Sequence, residues 1–216
     1  MRSIYLFSIS SHKDAIHIDP LKITFFTPKI NFLQVDYLIL TSKQAVKALQ
    51  NYPKESYINK KALCISKATA KAYKDIGGNV LAIGQGYGDT LIKQIQNYPE
   101  SIEWLYLRAK TVASNFVTLL KEQGYNIDES VVYESNCSEK ILHVNIPKNA
   151  VLIFTSPSSI KCYLQNHTFL QTQDIVVIGK TTAKTIPQDI KYTLSNDTTV
   201  QSCIEIAKKM IKNNNL

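Results

Sequence analysis

The segment DYLILTSKQAVKAL, residues 36–49, places a short apolar run before a Thr-Ser pair and then apolar residues at helical spacing. This order is typical of a buried strand that ends in hydroxyl residues and continues into a helix. A twin occurs later in the chain, AVLIFTSPSSIKCYL at residues 150–164. Downstream of the twins lies a second matching pair, ISKATAK at 65–71 and IGKTTAK at 178–184. Because both elements recur in the same order at nearly the same separation, the chain contains two copies of one architectural unit.

Each copy alternates short apolar runs with segments of helical spacing. The runs YLIL, ALCI, VLAI and EWLYL are predicted strands of the first copy, and VLIF, IVVI and KYTL are those of the second. Apolar strands separated by helices predict parallel sheets with helices on both faces. We therefore predict an α/β protein of two similar three-layer, flavodoxin-like domains. Gly124 is predicted to end the helix that closes with LLKEQG.

The second copy has only three predicted strands, too few for a good independent sheet, while the N-terminal run IYLF is unassigned. We infer that the N-terminal strand completes the C-terminal sheet and that the middle domain is an insertion. The predicted organisation is a discontinuous domain of residues 1–22 and 137–216, an inserted domain of residues 30–130, and linker strands 23–29 and 131–136. The two linkers are predicted to pair as a two-stranded β-ladder hinge.

The formal net charge of +8 comes almost entirely from lysine, since Arg2 and Arg108 are the only arginines. A basic surface indicates an acidic partner, although solvated lysines that only keep the surface soluble are an equal alternative. Nucleic-acid readers favour arginine, and no basic run with interleaved aromatic residues is present. We therefore expect a small polyanion as the partner, and no nucleic acid.

The compartment follows from apolar runs and cysteine usage. The apolar patch near the N-terminus is shorter than a signal-peptide core, and no run reaches the roughly 18 residues that cross a bilayer. Cys64, Cys137, Cys162 and Cys203 are widely spaced and show no metal or redox motif. They are predicted to be reduced, in a cytoplasmic protein without a membrane partner.

Hydroxyl residues stand where the predicted strands end, which is the edge of an open α/β sheet that binds ligands. Facing one another across a hinge, they would line a cleft that suits carboxylates or phosphates. Each could equally be a simple helix N-cap that needs no ligand. The candidate binding residues are Ser42, Thr69, Ser156, Ser158, Thr181 and Thr182.

The sequence lacks the motifs that several common kinds of binding site and enzyme require. The Gly-Lys-Thr of residues 179–181 does not form a P-loop, because Asp174 occupies the position of the first glycine. No dinucleotide motif follows a strand, and no cluster of histidines or carboxylates indicates a metal site. We expect neither cofactor nor metal. A two-lobed binding protein for an anionic small molecule and a nucleotide-dependent transferase stay as alternatives.

The ordered motifs DYLILTSKQAV, VVYES, VLIFTSPSSI and VVIGKTTAK resemble those of the uroporphyrinogen-III synthase family, from about Pro20 onward. The resemblance implies two α/β domains joined by a β-ladder, with the N-terminal strand in the C-terminal domain. It also implies a hydro-lyase of haem biosynthesis. The reaction would cyclise hydroxymethylbilane, a linear tetrapyrrole polycarboxylate, to uroporphyrinogen III with inversion of the terminal ring and loss of water.

By the same resemblance, Tyr133 is the best candidate for the catalytic residue, a phenol that assists departure of the substrate hydroxyl; the alternative is that Tyr133 only packs between the domains. The hydroxyl residues named above would bind substrate carboxylates. A monomer that transiently contacts the preceding pathway enzyme is expected. One departure concerns the N-terminus, where family members have an arginine-bearing turn and a full helix after the first strand. Here only SISSHKDAIHID precedes Pro20, so that helix is predicted to be lost or reduced to a turn.

Overall fold

A computed structural model describes residues 2–86, 88–112 and 114–213, except for the side chains of Asp89 and Asn213. Met1 and residues 214–216, which the predicted discontinuous domain includes, lie outside the described residues. The strands are β1 Ile4–Phe7, β2 Ile16–Ile18, β3 Leu21–Phe25, β4 Tyr37–Leu40, β5 Lys61–Cys64, β6 Asn79–Ile83, β7 Trp104–Ala109, β8 Ile127–Cys137, β9 Val151–Phe154, β10 Asp174–Val177 and β11 Thr193–Leu194. The helices are α1 Lys43–Leu49, α2 Lys54–Tyr57, α3 Lys67–Asp75, α4 Gly88–Ile95, α5 Phe116–Glu122, α6 Glu139–Leu142, α7 Pro157–Asn166, α8 Lys180–Ala183 and α9 Val200–Asn213. A short 3-10 helix covers Phe32–Gln34.

The fold is of the mixed α/β type with parallel sheets. The chain divides into two compact units, one of Met1–Lys22 with Asn136–Leu216 and one of Ile23–Ser135. We call the first the discontinuous unit and the second the inserted unit. No helix of the described residues is long and apolar enough to cross a membrane.

The inserted unit is built on a six-stranded sheet of order β3-β8-β7-β4-β5-β6. From β8 to β6 every neighbouring pair is parallel. Leu38 and Leu40 of β4 belong to the apolar cluster on one face, and Ile39 belongs to the cluster on the other. Because successive strand residues point to opposite faces, a continuous apolar run is what a sheet covered on both sides requires.

The discontinuous unit is built on a five-stranded sheet of order β11-β10-β9-β1-β2, in which all pairs are parallel. Strand β1 lies between β9 and β2 and is buried along its length. Phe7 and Phe154 stack at 4.7 Å on one face, while Leu6 and Ile153 join the cluster under α9 on the other. The first strand of the chain is therefore a central element of this sheet.

Equivalent strands occupy equivalent places in the two sheets. Read from one edge, the inserted unit runs β6-β5-β4-β7-β8, and the discontinuous unit runs β11-β10-β9-β1-β2. Strand β9 carries the twin of β4, and β10 carries the twin of β5. Strands β1 and β2 consequently take the places that β7 and β8 hold in the other sheet, so the duplication is visible in three dimensions. Strand β2 was not predicted from the sequence.

The connection between β1 and β2, residues 8–15, contains bends, a turn and irregular backbone but no helix. Parallel neighbours normally need a crossover of a dozen or more residues, usually with a helix. Here the register Tyr5↔Ile16 is reached without one. The predicted loss of the N-terminal helix is confirmed.

The cysteine prediction was wrong for one pair. Cys137 and Cys162 form a disulfide with an S–S distance of 2.08 Å, whereas Cys64 and Cys203 are free and buried. The two partners are 25 residues apart in sequence, and the fold brings their Cα atoms to 5.3 Å. Spacing alone could not show this, because the pairing depends on how β8 meets α7.

Candidate functional site

A cavity of about 490 Å³ lies in the inserted unit, where strands β4 to β7 end. Its position agrees with the general rule that ligands bind beyond the carboxyl ends of parallel strands. The lining is polar but uncharged among the described residues. The lining residues are Thr41, Ile65, Gly86, Gly88, Tyr106, Ala109, Thr111, Val112, Ser114, Asn115, Phe116 and Tyr133.

Tyr133 lies in β8 and is 8% exposed, with its ring among the apolar residues of one core cluster. Its Oη atom is 2.8 Å from Oγ of Ser42. Ser42 is the N-cap of α1, and its Oγ accepts hydrogen bonds from the backbone N–H groups of Gln44 and Ala45, each at 3.1 Å. The structure therefore joins the predicted catalytic phenol to one of the predicted binding hydroxyls.

A second tyrosine reaches the same cavity. Oη of Tyr106 lies 3.0 Å from Oγ1 of Thr41, the residue before Ser42. Burial raises the pKa of Tyr106, and the nearby Tyr133 acts in the same direction, while the hydrogen bond with Thr41 opposes them. The Tyr106 phenol is consequently a neutral group near pH 7, able to donate or accept one hydrogen bond.

The remaining predicted residue of the inserted unit lies at the start of α3. Thr69 is 2% exposed; its backbone N–H donates to Oγ of the N-cap Ser66 at 3.3 Å, and its own Oγ1 lies 3.2 Å from that atom. A side chain so buried and so engaged presents little surface to a ligand. Its main visible role is in the first turn of the helix.

In the discontinuous unit, Ser156 is the N-cap of α7 and forms a capping box with Ser159. Ser158 is exposed on the first turn of that helix. At the start of α8, Thr181 is exposed and Thr182 is 3% exposed. The Ser158 and Thr181 hydroxyls have no hydrogen-bond partner within the described residues, whereas Thr182 packs in the interior. Of these four residues, Ser158 and Thr181 are the ones whose hydroxyls are open to a ligand.

Three of the helices that begin at strand ends carry a lysine as their first residue: Lys43 in α1, Lys67 in α3 and Lys180 in α8. All three side chains are exposed, and within the described part of the chain none forms an ion pair. None of these helices has an acidic residue in its first turn. Acidic residues are the favourable choice there, because the N-terminal end of a helix is positive. Lysine in this place leaves positive charge available for an anion.

A larger cavity of about 610 Å³ lies elsewhere in the inserted unit, near the start of β7. Lys29 is its one basic lining residue among the described side chains, against three acidic ones, Glu103, Asp128 and Glu129. This charge balance repels a polycarboxylate. The smaller, uncharged cavity with its paired phenols is therefore the better candidate, despite its size.

Sequence reasoning missed Tyr106 as a member of the site and did not include Thr41 among the candidate binding residues. Thr41 was visible as part of the hydroxyl pair after β4. Tyr106 lies inside a strand that looked purely structural, and only its long side chain brings Oη to the strand end. Within the described ranges, no group of three or more His, Cys, Asp or Glu residues is placed to hold a metal ion.

Duplicated parallel-sheet units, an uncharged hydroxyl-lined cavity and unpaired lysines at strand ends define the chain as an α/β protein suited to an anionic ligand. The family model described as uroporphyrinogen-III synthase HemD matches residues 14–205. The chain belongs to the uroporphyrinogen-III synthase family, which confirms the resemblance seen in its motifs. Its activity is accordingly that of a hydro-lyase of haem biosynthesis.

Solved structures agree with the family. A uroporphyrinogen-III synthetase from Helicobacter pylori 26695 is 26% identical, with a TM-score of 0.77, and the match covers 97% of this chain and 100% of the other. A mutant uroporphyrinogen III synthase from the extremely thermophilic bacterium Thermus thermophilus is 13% identical, with a TM-score of 0.60 over 98% of this chain and 100% of the other. The second likeness shows the fold alone. A comparison with curated proteins gave no match.

Proposed function

We propose that the chain cyclises hydroxymethylbilane to uroporphyrinogen III and that the hydroxyl of Tyr133 assists the departing hydroxyl of the substrate. Two observations support this role: Tyr133 lines an uncharged cavity, and its Oη lies 2.8 Å from Oγ of Ser42, just after the end of β4. The reaction expels the terminal hydroxyl as water, inverts the last pyrrole through a spiro intermediate and closes the ring.

A phenol suits the departure step. Hydroxide is a poor leaving group, and a donor that shares a proton with it as the C–O bond breaks lowers the barrier by general-acid catalysis. No carboxylate lines the cavity among the described residues, so no negative charge in the lining opposes transfer of electron density to the leaving oxygen. Closure without inversion occurs unaided and gives the type I isomer. The enzyme must therefore also position the two ends of the bilane so that the inverted, type III ring closes instead.

Carboxylate binding is proposed for the exposed groups at the strand ends. Lys43, Lys67 and Lys180 supply charge, and Ser158 and Thr181 supply hydroxyl donors. Each charge-assisted bond at an exposed position contributes modestly, so firm binding requires several to act together. Thr69 and Thr182 are left out of this set because their side chains are buried.

We also propose that the two units are similar three-layer α/β domains, of which the discontinuous one has the flavodoxin-like strand order, and that β3 and β8 form a hinge. Both boundaries of the inserted unit fall within these strands. The passes are hydrogen-bonded through Phe26 N–H to the Val132 carbonyl at 2.9 Å and Ser138 N–H to the Pro20 carbonyl at 3.0 Å. Small-angle scattering should show compaction when product binds, and an unchanged radius of gyration would contradict the hinge.

Three further parts of the proposal concern the cellular form of the enzyme: a monomer, located in the cytoplasm, that receives its substrate through transient contact with the preceding pathway enzyme. The monomer is supported by the candidate cavity, whose lining residues all belong to the inserted unit of one chain. Sedimentation equilibrium checks it directly, and a mass of twice 24.4 kDa would contradict it.

The function is tested by supplying enzymatically generated hydroxymethylbilane to the purified protein, oxidising the products and separating the porphyrin isomers. Type III should dominate with protein and type I without it. An unchanged yield of type I would contradict the proposed reaction, and tight binding of the bilane in that case would favour a binding protein that performs no chemistry.

A further inference from the structure

The hydrogen bond between Ser42 and Tyr133 has a direction that the surroundings of Ser42 decide. A serine hydroxyl has one proton and two acceptor lone pairs. Both lone pairs of Ser42 Oγ are engaged, because the N–H groups of Gln44 and Ala45 point to it at 3.1 Å. What Ser42 has left is its own proton, and the atom within reach is Oη of Tyr133 at 2.8 Å. Ser42 is therefore the donor and Tyr133 the acceptor.

With Ser42 as the donor, the phenolic O–H of Tyr133 does not donate its proton to Ser42. Within the described residues Tyr133 Oη makes no second hydrogen bond, and the residue lines the cavity. We propose that Ser42 is a positioning residue whose donated hydrogen bond keeps the Tyr133 proton turned toward the cavity and the substrate oxygen. The inference rests on the catalytic role proposed above for Tyr133.

The neighbouring pair shows what is particular about Ser42. Thr41 Oγ1 lies 3.0 Å from Tyr106 Oη, yet within the described residues this threonine oxygen accepts no backbone N–H. Either partner of that pair can donate, so the Tyr106 proton has no fixed direction. The two phenols at this cavity thus differ in whether the direction of the phenolic proton is fixed. The difference comes from the helix cap at Ser42.

The same count of hydrogen bonds favours a different role for Ser42 from the carboxylate binding predicted from the sequence. A hydroxyl that accepts two backbone bonds and donates its proton to a phenol has no capacity left for a substrate carboxylate. Ser42 therefore acts through Tyr133, and its removal should affect kcat more than KM.

Substitution by aspartate separates positioning from capping. Aspartate is as good an N-cap as serine, but its carboxylate can only accept hydrogen bonds. It would therefore accept one from the Tyr133 O–H and turn the phenolic proton away from the cavity. Ser42→Asp should keep the melting temperature and lower kcat about 100-fold, the low end of general-acid contributions. Ser42→Ala loses the cap and should have a lower melting temperature. It should nevertheless lower kcat only about 10-fold, because no group at position 42 accepts a hydrogen bond from the Tyr133 O–H. Ser42→Thr keeps both the helix cap and the hydroxyl donor, so its kcat should stay within about 3-fold of wild type.

A purely structural role predicts the opposite order, with the aspartate variant fully active and the alanine variant the weakest. That result would overturn the inference. Asn31→Ala is the matched control, because Asn31 caps the 3-10 helix of the same unit and is not among the residues that line the candidate cavity. It should melt earlier than wild type at unchanged kcat, and a loss of kcat equal to that of Ser42→Ala would also count against the inference.

Two further measurements separate the possible failures. In a Tyr133→Phe background, Ser42→Asp and Ser42→Ala should have equal kcat; a remaining deficit for aspartate means charge repulsion of the substrate and refutes positioning. Wild-type kcat in Tyr133→Phe itself refutes the proposed role of Tyr133. Neutron diffraction of the deuterated protein then tests the bond alone: deuterium should lie between Ser42 Oγ and Tyr133 Oη and belong to Ser42, and deuterium bonded to Tyr133 on that line would overturn the assignment.

Discussion

Replacing Tyr133 by phenylalanine removes one oxygen and leaves the ring that packs in the core. Tyr133 is 8% exposed, and its hydroxyl makes one hydrogen bond within the described residues, to Ser42, whose two capping bonds remain in the variant. Loss of one such bond should lower the free energy of unfolding by about 1 kcal/mol. Loss of a general acid should lower kcat at least about 100-fold, which corresponds to about 2.7 kcal/mol of transition-state stabilisation. The loss of transition-state stabilisation, about 2.7 kcal/mol, should therefore exceed the loss of folding free energy, about 1 kcal/mol.

The assay is the initial rate of type III formation at saturating hydroxymethylbilane, with the melting temperature measured in parallel. KM should change little, because the phenol acts on the leaving oxygen in the transition state. Tyr73→Phe is the matched control. Tyr73 is fully buried in the same unit, and its hydroxyl donates to the carbonyls of Lys60 at 2.7 Å and Tyr57 at 3.2 Å. That variant should lose stability and keep kcat. Equal rates for wild type and Tyr133→Phe, or an equal kcat loss in Tyr73→Phe, would refute the reasoning.

Three other predictions concern stability. Leu6→Ala should cost about 3 kcal/mol in denaturant unfolding, because Leu6 is fully buried in β1; a cost below about 1 kcal/mol would remove β1 from the core. Opening the disulfide of Cys137 and Cys162, by reductant or by Cys137→Ser, should cost about 3.5 kcal/mol, and an unchanged unfolding midpoint would contradict the bond. Burial raises the pKa of Cys64 from 9.0 and of Tyr163 from 10.0 to about 12 each. Because the unfolded chain releases these protons first, the melting temperature should hold below about pH 9 and fall between pH 9 and 12; a rise in that window would contradict the assignment.

The features of the fold that rest on local pattern were predictable. Strand β4 is a continuous apolar run followed by a hydroxyl pair, and its twin β9 has the same pattern. The repeat could therefore be predicted from the sequence alone. Gly124 ends α5 as predicted, with φ of +91°, a conformation that glycine adopts without steric cost. Tyr125 N–H completes this helix end by donating to the Leu120 carbonyl at 3.1 Å.

The features that depend on packing between distant segments were not predictable. Strand β2 is three residues long, Ile-His-Ile, with a polar residue at its centre, and its strand character comes from pairing with β1. The disulfide needs the meeting of β8 and α7. Tyr106 is a core residue by pattern and a cavity residue only by the reach of its hydroxyl. In each case the decisive contact lies outside the local pattern, where sequence periodicity carries no information.

The chain's central property is that it directs closure of the bilane to the type III isomer faster than closure proceeds alone. Spontaneous formation of type I provides an internal clock in the same tube. The ratio of type III to type I should therefore rise in proportion to protein concentration, with a slope that gives kcat/KM relative to the spontaneous rate. A ratio that stays at its protein-free value at every concentration would contradict the account.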